Sequence, residues 1–565
     1  MPEAGRKAAC SEADIRRLEA AVAGLRQRLH IEQRRRQDMR RTIWWRATAP
    51  LRFLSRRLRR LLINPSMDAL ALPSVAGRDA SAARSRQTFK LELDARLAEF
   101  LAGSSRIVLP SCEAPAVSIL LILYNQASFT LRCLESIAST VPGDAEVIIL
   151  DNGSTDETGQ LLARVSGARV IRSEDNLYYL RGVNLGAGFA SGRCLLLLNN
   201  DTELGHDSVA RALDLLDSDS GIGALGGRLI RPNGRLQEAG NIVWQDGGCF
   251  SYGADQPPEI GSCMFQRDVD YVSGAFLMTR RELFERLGRF DEALAPAYYE
   301  ETDYCLRLWQ AGYRVVFDPR ILVHHYEFAS GSKEAATALM RRNQAILVDR
   351  HRPALRARHL PALPEYPLPA RSRDWDRIVG RALVLTELLP SASGDGEQRR
   401  AVAIVRALEA ANWFVTVHPL ASDETGWEAI RANLAMTVEV MRGQDLTGLP
   451  EFLRDRAGYY DRALVIGASG WTRLGTDRAS AAALAELGLI CDAQGTDLPA
   501  AAPPPEPKAR IWAATETAAA RWRALAGVPA NVLGAAPPLD LPLTDPDWSG
   551  FVMKLGALLA AENAA

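Results

Sequence analysis

The residues with the clearest chemical potential are Asn199, Asn200 and Asp201, which follow four consecutive leucines at 195–198. An apolar run of this length is too short for a buried helix or a membrane span, and it indicates a strand covered on both faces. A carboxylate at the C-terminal end of such a strand lies where open α/β sheets bind their ligands. The same three residues also favour an Asx-turn, which needs no ligand. The neighbouring strands are therefore needed to distinguish a ligand site from a structural turn.

Three other predicted strands also end in polar side chains. The strand at 117–125 ends in Tyr124 and Asn125, the strand at 145–151 ends in Asp151 and Asn152, and a short strand at 170–171 leads to Asn176. Helical patterns at 129–139 and 180–191 alternate with these strands, which predicts a mainly parallel sheet covered by helices. Four polar strand ends on one edge of a sheet would form a nucleotide-sized pocket.

Composition sets limits on the class of protein. The chain has 565 residues and a formal net charge of −1, which fits two or three domains and gives no global signature of disorder or of nucleic-acid binding. Its eight cysteines lack C-x-x-C spacing, which argues against a zinc site and a disulfide framework. No signal peptide and no transmembrane run of ~18 residues is evident. We therefore expect a cytoplasmic protein, attached at most to the inner face of the plasma membrane.

The N-terminal segment is predicted to be helical and basic. Residues 11–41 read as a long helix with a seam that could join two copies as a homodimer. The seam is formed by Ile15, Leu18, Val22, Leu25 and Leu29. Residues 41–62 interleave tryptophans and leucines with arginines, which fits a helix on an anionic membrane surface. An arginine-rich helix packed on the protein body is the alternative, whereas nucleic-acid binding is not expected, since nothing supplies base-reading chemistry.

These patterns predict the following domain organisation. Residues 1–75 form the helical and basic segment, 76–115 a linker with one helix near 91–101, and 116–350 the mixed-sheet domain. A second linker covers 351–379. Residues 380–565 show strand, glycine-rich loop and helix in the order of a Rossmann-like α/β module.

Seven motifs follow one another in an order that resembles a known family. They are VSILLILYN (117–125), VIILDNGSTDET (147–158), the N…N-x-G…G segment (176–192), LLLLNNDTEL (195–204), VSGAFLMTR (272–280), GRFDEAL (288–294) and YEETDYCLRLWQAGYRVVFDP…HH (299–325). The order resembles the inverting family-2 glycosyltransferases with the GT-A fold, particularly those that build O-antigen and related surface glycans. The resemblance implies transfer of a sugar from a nucleotide-diphospho-sugar to a glycan or lipid-linked acceptor.

The resemblance also implies site residues. The base and ribose of the donor would contact Tyr124, Asn125, Asp151 and Asn176. The nucleotide-sugar would also be bound by Asn152, Arg181, Asn200 and Gly274. The segment from Asn199 to Asp201 stands in for the family's D-x-D, with Asn in the first position. Asp201 would then be the main ligand of Mn²⁺ or Mg²⁺, with Asn199 and His325 completing the shell, and an imidazole ligand would favour Mn²⁺.

Inverting transfer needs a base that deprotonates the acceptor hydroxyl. By the resemblance, this base is Glu301, with Glu300 beside it and Asp303 as the second candidate. Crowded carboxylates raise one another's pKa, which helps a base to work near neutrality. Acidic residues are also favoured at a helix N-terminus for purely structural reasons.

The remaining segments give less specific hypotheses. The glycine-rich stretch that follows Asp201 reads as a hairpin ribbon facing the acceptor, and Trp244 and Trp309 are candidates for sugar stacking or for the core. The module at 380–565 resembles the opening half of a GT-B, family-4-like domain, and we interpret it as noncatalytic. Alternatives for the whole chain are a sugar nucleotidyltransferase and a noncatalytic scaffold of a polysaccharide assembly complex. An NAD-dependent oxidoreductase fits poorly, because the glycines at 186–192 precede a strand instead of following one.

Overall fold

The computed structural model of the protein contains two α/β sheets, the first mixed and the second parallel. The structure describes residues 79–326, 333–362, 378–423, 425–474, 476–477, 480, 483–484, 489–493, 510–513, 530–533 and 546–561. The chain divides into two units, Met1–Ser81 and Ala82–Ala565. The predicted dimer helix at 11–41 and the basic segment at 41–62 lie outside the described residues. No helix in the described part of the chain has the length and apolar character needed to cross a bilayer.

The first half of the mixed-sheet region alternates strands and helices, as predicted. Its elements are α1 Asp79–Ala102, β1 Ile107–Val108, β2 Val117–Leu123, α2 Ala127–Thr140, β3 Ala145–Asp151, α3 Thr158–Leu162, β4 Val165–Ser166, β5 Ala168–Arg172, α4 Tyr178–Ala187, β6 Cys194–Asn199, β7 Thr202–Leu204 and α5 Ser208–Ser218. The leucines of β6 are fully buried, which contributes roughly 2 kcal/mol for each side chain.

The second half adds hairpins and two long elements. These elements are β8 Ile222–Ile230, β9 Leu236–Ala239, β10 Asn241–Val243, β11 Cys249–Ser251, β12 Arg267–Asp268, β13 Phe276–Arg280, α6 Arg281–Arg286, α7 Glu300–Gln310, β14 Arg314–His325 and α8 Lys333–Arg358. The turn at 232–234 joins β8 and β9 as an antiparallel pair, so the glycine-rich stretch after Asp201 contains a hairpin, as predicted.

One sheet organises these strands in the order β12-β14-β8-β13-β6-β2-β3-β5, with β7 paired to β14 and β9 to β8. The strands β6, β2, β3 and β5 are mutually parallel, so all four predicted polar ends lie on one edge. Antiparallel β13 inserts between β6 and β8. The predicted mixed α/β sheet is therefore confirmed, with parallel pairing concentrated in its first half.

The predicted linker at 76–115 differs from the structure. Leu97 and Phe100 of α1, together with Ile107 and Leu109, are buried in the core formed by β2, β3 and β6. Sequence periodicity does not show which surface a single helix packs against. For this reason residues 76–115 are predicted to be a linker and not part of the core. The second linker is predicted to begin at residue 351, which is too early. In the structure, α8 continues to Arg358 and its Leu355 is buried.

The C-terminal α/β region has its own sheet. Its elements are β15 Gly380–Thr386, α9 Gly396–Ala410, β16 Trp413–Pro419, α10 Trp427–Asn433, β17 Glu439–Val440, α11 Leu449–Asp455, β18 Arg462–Ile466, α12 Gly467–Leu474, β19 Leu489–Ala493, β20 Arg510–Ala513, β21 Ala530–Val532 and α13 Pro546–Ala561. All seven strands are parallel, in the order β17-β16-β15-β18-β19-β20-β21. The predicted doubly wound pattern is confirmed, and its order reverses between β15 and β18.

The two sheets belong to the same unit and are in direct contact. The Gln266 backbone N–H donates to the Met436 carbonyl at 2.7 Å, and Arg431 donates to the Met264 carbonyl at 2.5 Å. The rings of Phe265 and Phe414 lie 5.7 Å apart. The segment before β12 therefore joins the mixed sheet to the C-terminal sheet.

Candidate active site

Two of the predicted metal ligands meet at the end of β6. The Nε2 atom of His325 lies 3.2 Å from Oδ1 of Asp201, and each side chain is about one-tenth exposed. The contact forms because β7 pairs with the end of β14 and places His325 opposite Thr202. Successive side chains of a strand alternate between its faces, so His324 points away from this pair.

The other ring nitrogen of His325 defines the chemistry of the pair. Nδ1 lies 2.7 Å from Oε1 of Gln237. An amide oxygen is an acceptor, so the ring proton is assigned to Nδ1, and Nε2 presents a lone pair toward the Asp201 carboxylate. Two such electron-rich atoms repel each other unless a proton or a metal cation lies between them. The pair therefore fits part of a divalent cation's coordination shell.

The predicted acidic cluster begins α7. Burial and the charge of Glu301 raise the pKa of Glu300 well above its ordinary value. Burial also raises the pKa of Glu301. Hydrogen bonds from backbone N–H groups, including that of Gly274, lower this pKa but do not cancel the effect of burial. Within the described residues, Oε2 of each glutamate has no hydrogen-bond partner. A carboxylate with a free oxygen and a raised pKa can accept a proton near neutrality.

Glu238 on β9 is a site residue that the sequence did not reveal. Its buried carboxylate accepts a hydrogen bond from Nδ2 of Asn241 at 2.8 Å. Burial raises its pKa to about 7, with a further increase from the charge of Glu301, while Asn241 and His325 act in the opposite direction. Its neighbour Gln237 contacts His325 at 2.7 Å, and the adjoining backbone groups of Ser273 and Gly274 hydrogen-bond to Glu238 and Glu301. The Asp201–His325 pair and the acidic cluster therefore lie near each other. In the sequence, the only sign of this role is that Glu238 is a charged residue within a short, otherwise mostly apolar strand.

Asp303 lies in a different environment. Its carboxylate accepts hydrogen bonds from Nε of Arg307 at 2.8 Å, Nη1 of Arg350 at 2.9 Å and Nε2 of His351 at 2.8 Å. Burial alone would raise the pKa of Asp303, but the hydrogen bond from His351 and the charges of Arg307 and Arg350 hold it at about 2. A carboxylate this acidic is a poor proton acceptor at neutral pH, and its contacts join α7 to α8.

We expect Asp303→Asn to lower the free energy of unfolding by about 3 kcal/mol at pH 7, since it removes the buried carboxylate that balances Arg307 and that shares Arg350 with Asp291. The folded pKa is depressed from 3.8 to about 2, so this stabilisation is present above pH 3.8 and is lost as the pH falls toward 2. Urea unfolding at pH 7 and at pH 2.5 measures both effects. Asp349→Asn, at an exposed position on α8, is the matched control. Equal stability of the Asp303 and Asp349 variants at pH 7 would contradict this role.

The polar ends of β2 and β3 support each other. The Oδ1 atom of Asn125 accepts from the Thr155 backbone N–H at 2.8 Å, and Oδ1 of Asp151 accepts from the Ser154 backbone N–H at 2.9 Å. The second carboxylate oxygen of Asp151 lies 3.9 Å from Nε of Arg172. Asn152 is buried, and its Oδ1 has no hydrogen-bond partner among the described residues. This edge therefore retains acceptors for a ligand beside a rigid loop.

The other predicted donor contacts are more dispersed. Tyr124 is exposed at the end of β2. Asn176 uses Oδ1 to accept from the Tyr178 backbone N–H at 2.7 Å, and Nδ2 of Asn200 donates to Oγ1 of Thr130 at 2.9 Å. Arg181 forms an exposed ion pair with Glu292 at 3.3 Å. In this structure, the side chains of Asn200 and Arg181 are thus directed to protein partners.

Gly274 lies directly against the side chain of Tyr179. A Cβ atom there would lie 2.6 Å from Oη of Tyr179, whose hydroxyl donates to the Gly274 carbonyl at 3.1 Å. The Asn199 backbone N–H donates to the Ala275 carbonyl at 3.2 Å. The segment that donates to Glu301 is therefore also bonded to the end of β6.

The two tryptophans have structural contacts. Trp244 is buried, with its ring 6.3 Å from that of Phe250. Nε1 of Trp309 donates to the Val269 carbonyl at 3.1 Å. These contacts favour the core role over sugar stacking.

Comparison with known proteins identifies this part of the chain. Residues 118–288 match the family described as Glycosyl transferase family 2. The chain contains a family-2 glycosyl transferase domain. The matched segment includes Asp201 and Glu238, while Glu301 and His325 follow it.

Relatives match about two-fifths of the chain. It is 30% identical over 239 residues to the O-antigen biosynthesis protein RfbC of Myxococcus xanthus, covering 41% of this chain and 19% of that protein. It is 28% identical over 259 residues to the N-acetylglucosaminyl-diphospho-decaprenol L-rhamnosyltransferase of Mycobacterium tuberculosis, covering 41% of this chain and 84% of that protein. An uncharacterized protein of Sinorhizobium fredii is 27% identical, and the match covers 26% of its length. The chain thus spans about a quarter or less of two of these three relatives.

Parts of two solved structures align with part of this chain. The structure of GalNAc-T7 with UDP, GalNAc and Mn²⁺ aligns with a TM-score of 0.35 at 18% identity, covering 42% of this chain and 48% of that chain. A mannosyltransferase of Pyrobaculum calidifontis in complex with GDP-Man and Mn²⁺ aligns with a TM-score of 0.30 at 17% identity, covering 49% and 73%.

Proposed function

We propose that the mixed-sheet domain is an inverting, metal-dependent glycosyltransferase that uses a nucleotide-diphospho-sugar. The acceptor is a glycan or a lipid-linked sugar in the synthesis of a surface polysaccharide. The family-2 match supports the reaction class, and the names of the relatives support the acceptor class. The observation that carries the mechanism is the pairing of Asp201 with His325 beside Glu238 and Glu301.

Asp201 and His325 would hold a divalent cation, with Asn199 close by at the end of β6. Within the described residues, no cluster of three or more His, Cys, Asp or Glu side chains is suited to a metal. A set with a single carboxylate and an imidazole leaves coordination positions for diphosphate oxygens, and the imidazole favours Mn²⁺ over Mg²⁺. When bound, the cation would offset the negative charge on the departing diphosphate.

Glu301 would remove the proton from the acceptor hydroxyl while the oxygen of that hydroxyl attacks the anomeric carbon of the donor sugar. Its free Oε2 can receive the proton, and its raised pKa brings it closer to neutrality. Glu300 would keep one proton within the pair, because two adjacent buried carboxylates resist double ionisation. Asp303 is excluded from the proposed base role by its depressed pKa and is assigned to holding α7 in place.

The edge formed by β2, β3 and β5 would bind the nucleotide. Asp151 and Asn152 offer oxygen acceptors for ribose hydroxyls and for base N–H groups, while exposed Tyr124 offers an aromatic face. Asn125 and Asn176 would act mainly by shaping the loops, since their Oδ1 atoms accept from the backbone.

The C-terminal sheet would be noncatalytic. The position where its strand order reverses holds a cavity of about 20 Å³, lined by Thr386, Glu397 and Ser469 among others. Oγ of Ser469 donates to the Glu397 carboxylate there, so both side chains are engaged with each other. A cavity of this volume suits a single water molecule.

The proposal is tested by incubating the full chain with Mn²⁺, a polyprenyl-diphosphate-linked N-acetylglucosamine acceptor and a panel of UDP-, GDP-, dTDP- and CMP-sugars. Mass spectrometry of the acceptor and assay of the released nucleotide provide independent readouts. We expect one diphosphate donor to give an extended acceptor with inverted anomeric configuration. Release of pyrophosphate, or a product with retained configuration, would contradict the proposal.

A further inference from the structure

A cavity of about 300 Å³ lies between the mixed sheet and the C-terminal sheet. One wall includes Arg267 on β12 and Arg314 on β14, and the facing wall includes Arg381 on β15 with Trp413 and Phe414 on β16. Cavities of this size at domain interfaces, with aromatic walls and a few polar groups, are typical small-molecule sites. The cavity is separate from the Asp201–His325 pair, so its role does not depend on the proposed transfer.

Arg267 brings an unbalanced charge to this cavity. Its residue is 6% exposed, and its Nη atoms donate only to the carbonyls of Phe265 and Ala239. Within the described ranges, it forms no salt bridge with a carboxylate, and its Nε has no hydrogen-bond partner. Three aromatic rings surround its guanidinium carbon, at 4.5 Å for Phe317 and 5.0 Å for Phe265 and Tyr252, and they offset part of the cost of burying a cation.

Arg381 contributes a second guanidinium from the facing wall. Its guanidinium carbon lies 5.2 Å from the ring centre of Tyr459, and its buried Nε has no hydrogen-bond partner in the described part of the chain. Arg314 differs, because it is neutralised by Asp268 at 3.0 Å and by Asp219.

The acidic groups on the walls do not cancel this excess. Asp268 is engaged by Arg314. Glu409 accepts from Oγ1 of Thr437 at 2.5 Å, and burial raises the pKa of its carboxyl, which weakens its negative charge. The balance of the lining is therefore positive and aromatic.

We propose that this cavity binds a small anion that carries a flat ring, with a phosphate or carboxylate group between Arg267 and Arg381 and the ring against Trp413 and Phe414. Guanidinium groups match both kinds of oxyanion, and an anion at this position would supply the counter-charge that Arg267 lacks. Because the two arginines belong to different sheets, the bound ligand would hold the sheets together.

Isothermal titration calorimetry on the full chain, without any donor sugar, tests the proposal with four probes. Phenyl phosphate and benzoate carry both the ring and the charge, phenol carries only the ring, and inorganic phosphate carries only the charge. We expect phenyl phosphate or benzoate to bind the wild type in the low millimolar range or tighter, and the two single-feature probes to bind at least ~10-fold more weakly. The preferred probe then identifies a phosphate or a carboxylate ligand.

Variants separate this cavity from the proposed donor site. Arg381→Gln should weaken binding of the preferred probe by ~10-fold or more, while Arg399→Gln, at an exposed position on α9, should leave it unchanged. Asp201→Ala should also leave it unchanged. Circular dichroism confirms that each variant is folded. No measurable binding of both ring anions to the wild type would overturn the proposal, as would full binding by Arg381→Gln or loss of binding in Asp201→Ala.

Discussion

Glu301→Gln is expected to lower the rate of sugar transfer by about 10²- to 10⁴-fold, the range for removal of a general base. Glutamine has nearly the same shape and can still accept from the Gly274 backbone N–H, so the start of α7 should keep its position. It cannot accept the proton of the acceptor hydroxyl. The kcat of the variant, measured with saturating donor, therefore reports the chemical role of this oxygen directly.

The pH profile of the wild type gives a second readout. Because burial raises the pKa of Glu301, the fraction of ionised base falls as the pH drops through a value above 4.5, and the rate should fall with it. That acidic limb should be absent from the residual activity of Glu301→Gln. Glu282→Gln, at an exposed position on α6, is the matched control and should transfer sugar normally. Wild-type kcat in Glu301→Gln would refute the base assignment.

Asp201→Ala is the second change with a large expected effect, a loss of at least ~10²-fold in transfer. Asp201 is the one carboxylate in the proposed ligand set, and alanine leaves His325 without the charge that faces its Nε2. The measurement is transfer as a function of Mn²⁺ concentration, with thermal unfolding to check the fold.

The control for this variant is Asp217→Ala, which removes a half-exposed carboxylate paired with Arg193. It should keep the wild-type dependence on Mn²⁺. If Asp201→Ala transfers sugar only at high Mn²⁺, the substitution has weakened the affinity for the cation. If Asp201→Ala transfers sugar at the wild-type rate at low Mn²⁺, the assignment of Asp201 as a metal ligand is contradicted.

The strand ends were predictable because their signals are local. A short apolar run followed by Asp151 or by Asp201 indicates both the strand and the position of its polar end. Parallel pairing of neighbouring strands then requires these ends to share an edge. The doubly wound C-terminal sheet was predictable for the same reason, and the capping box of Asp395 and Gln398 marks the start of α9 in the sequence.

Glu238 was missed because its role depends on distant partners. The hairpin of β8 and β9 places it near His325 and Glu301, and no periodicity in its own segment indicates that neighbourhood. The same limit applies to Asp303. The sequence presents it as the second candidate for the base after Glu301, and only the folded chain brings Arg350 and His351 against it.

Contacts between the two sheets were also beyond sequence reasoning. Gln266 and Arg431 form them through backbone carbonyls, which carry no residue-type signal. A buried arginine such as Arg267 appears in the sequence as an ordinary surface charge. The packed part of the predicted first linker has the same explanation, since the partner surface of α1 is formed by strands that follow it in the chain.

The most direct test of the central claim is a Mn²⁺ titration followed by electron paramagnetic resonance, with UDP, GDP or dTDP present or absent. The claim is that Asp201 and His325 hold a cation that also binds the donor diphosphate. We expect the wild type to take up about one Mn²⁺ tightly only when a matching diphosphate is present, because two protein ligands leave most of the shell open. We expect Asp201→Ala to lose this uptake. Equal, nucleotide-independent Mn²⁺ binding by the wild type and by Asp201→Ala would contradict it.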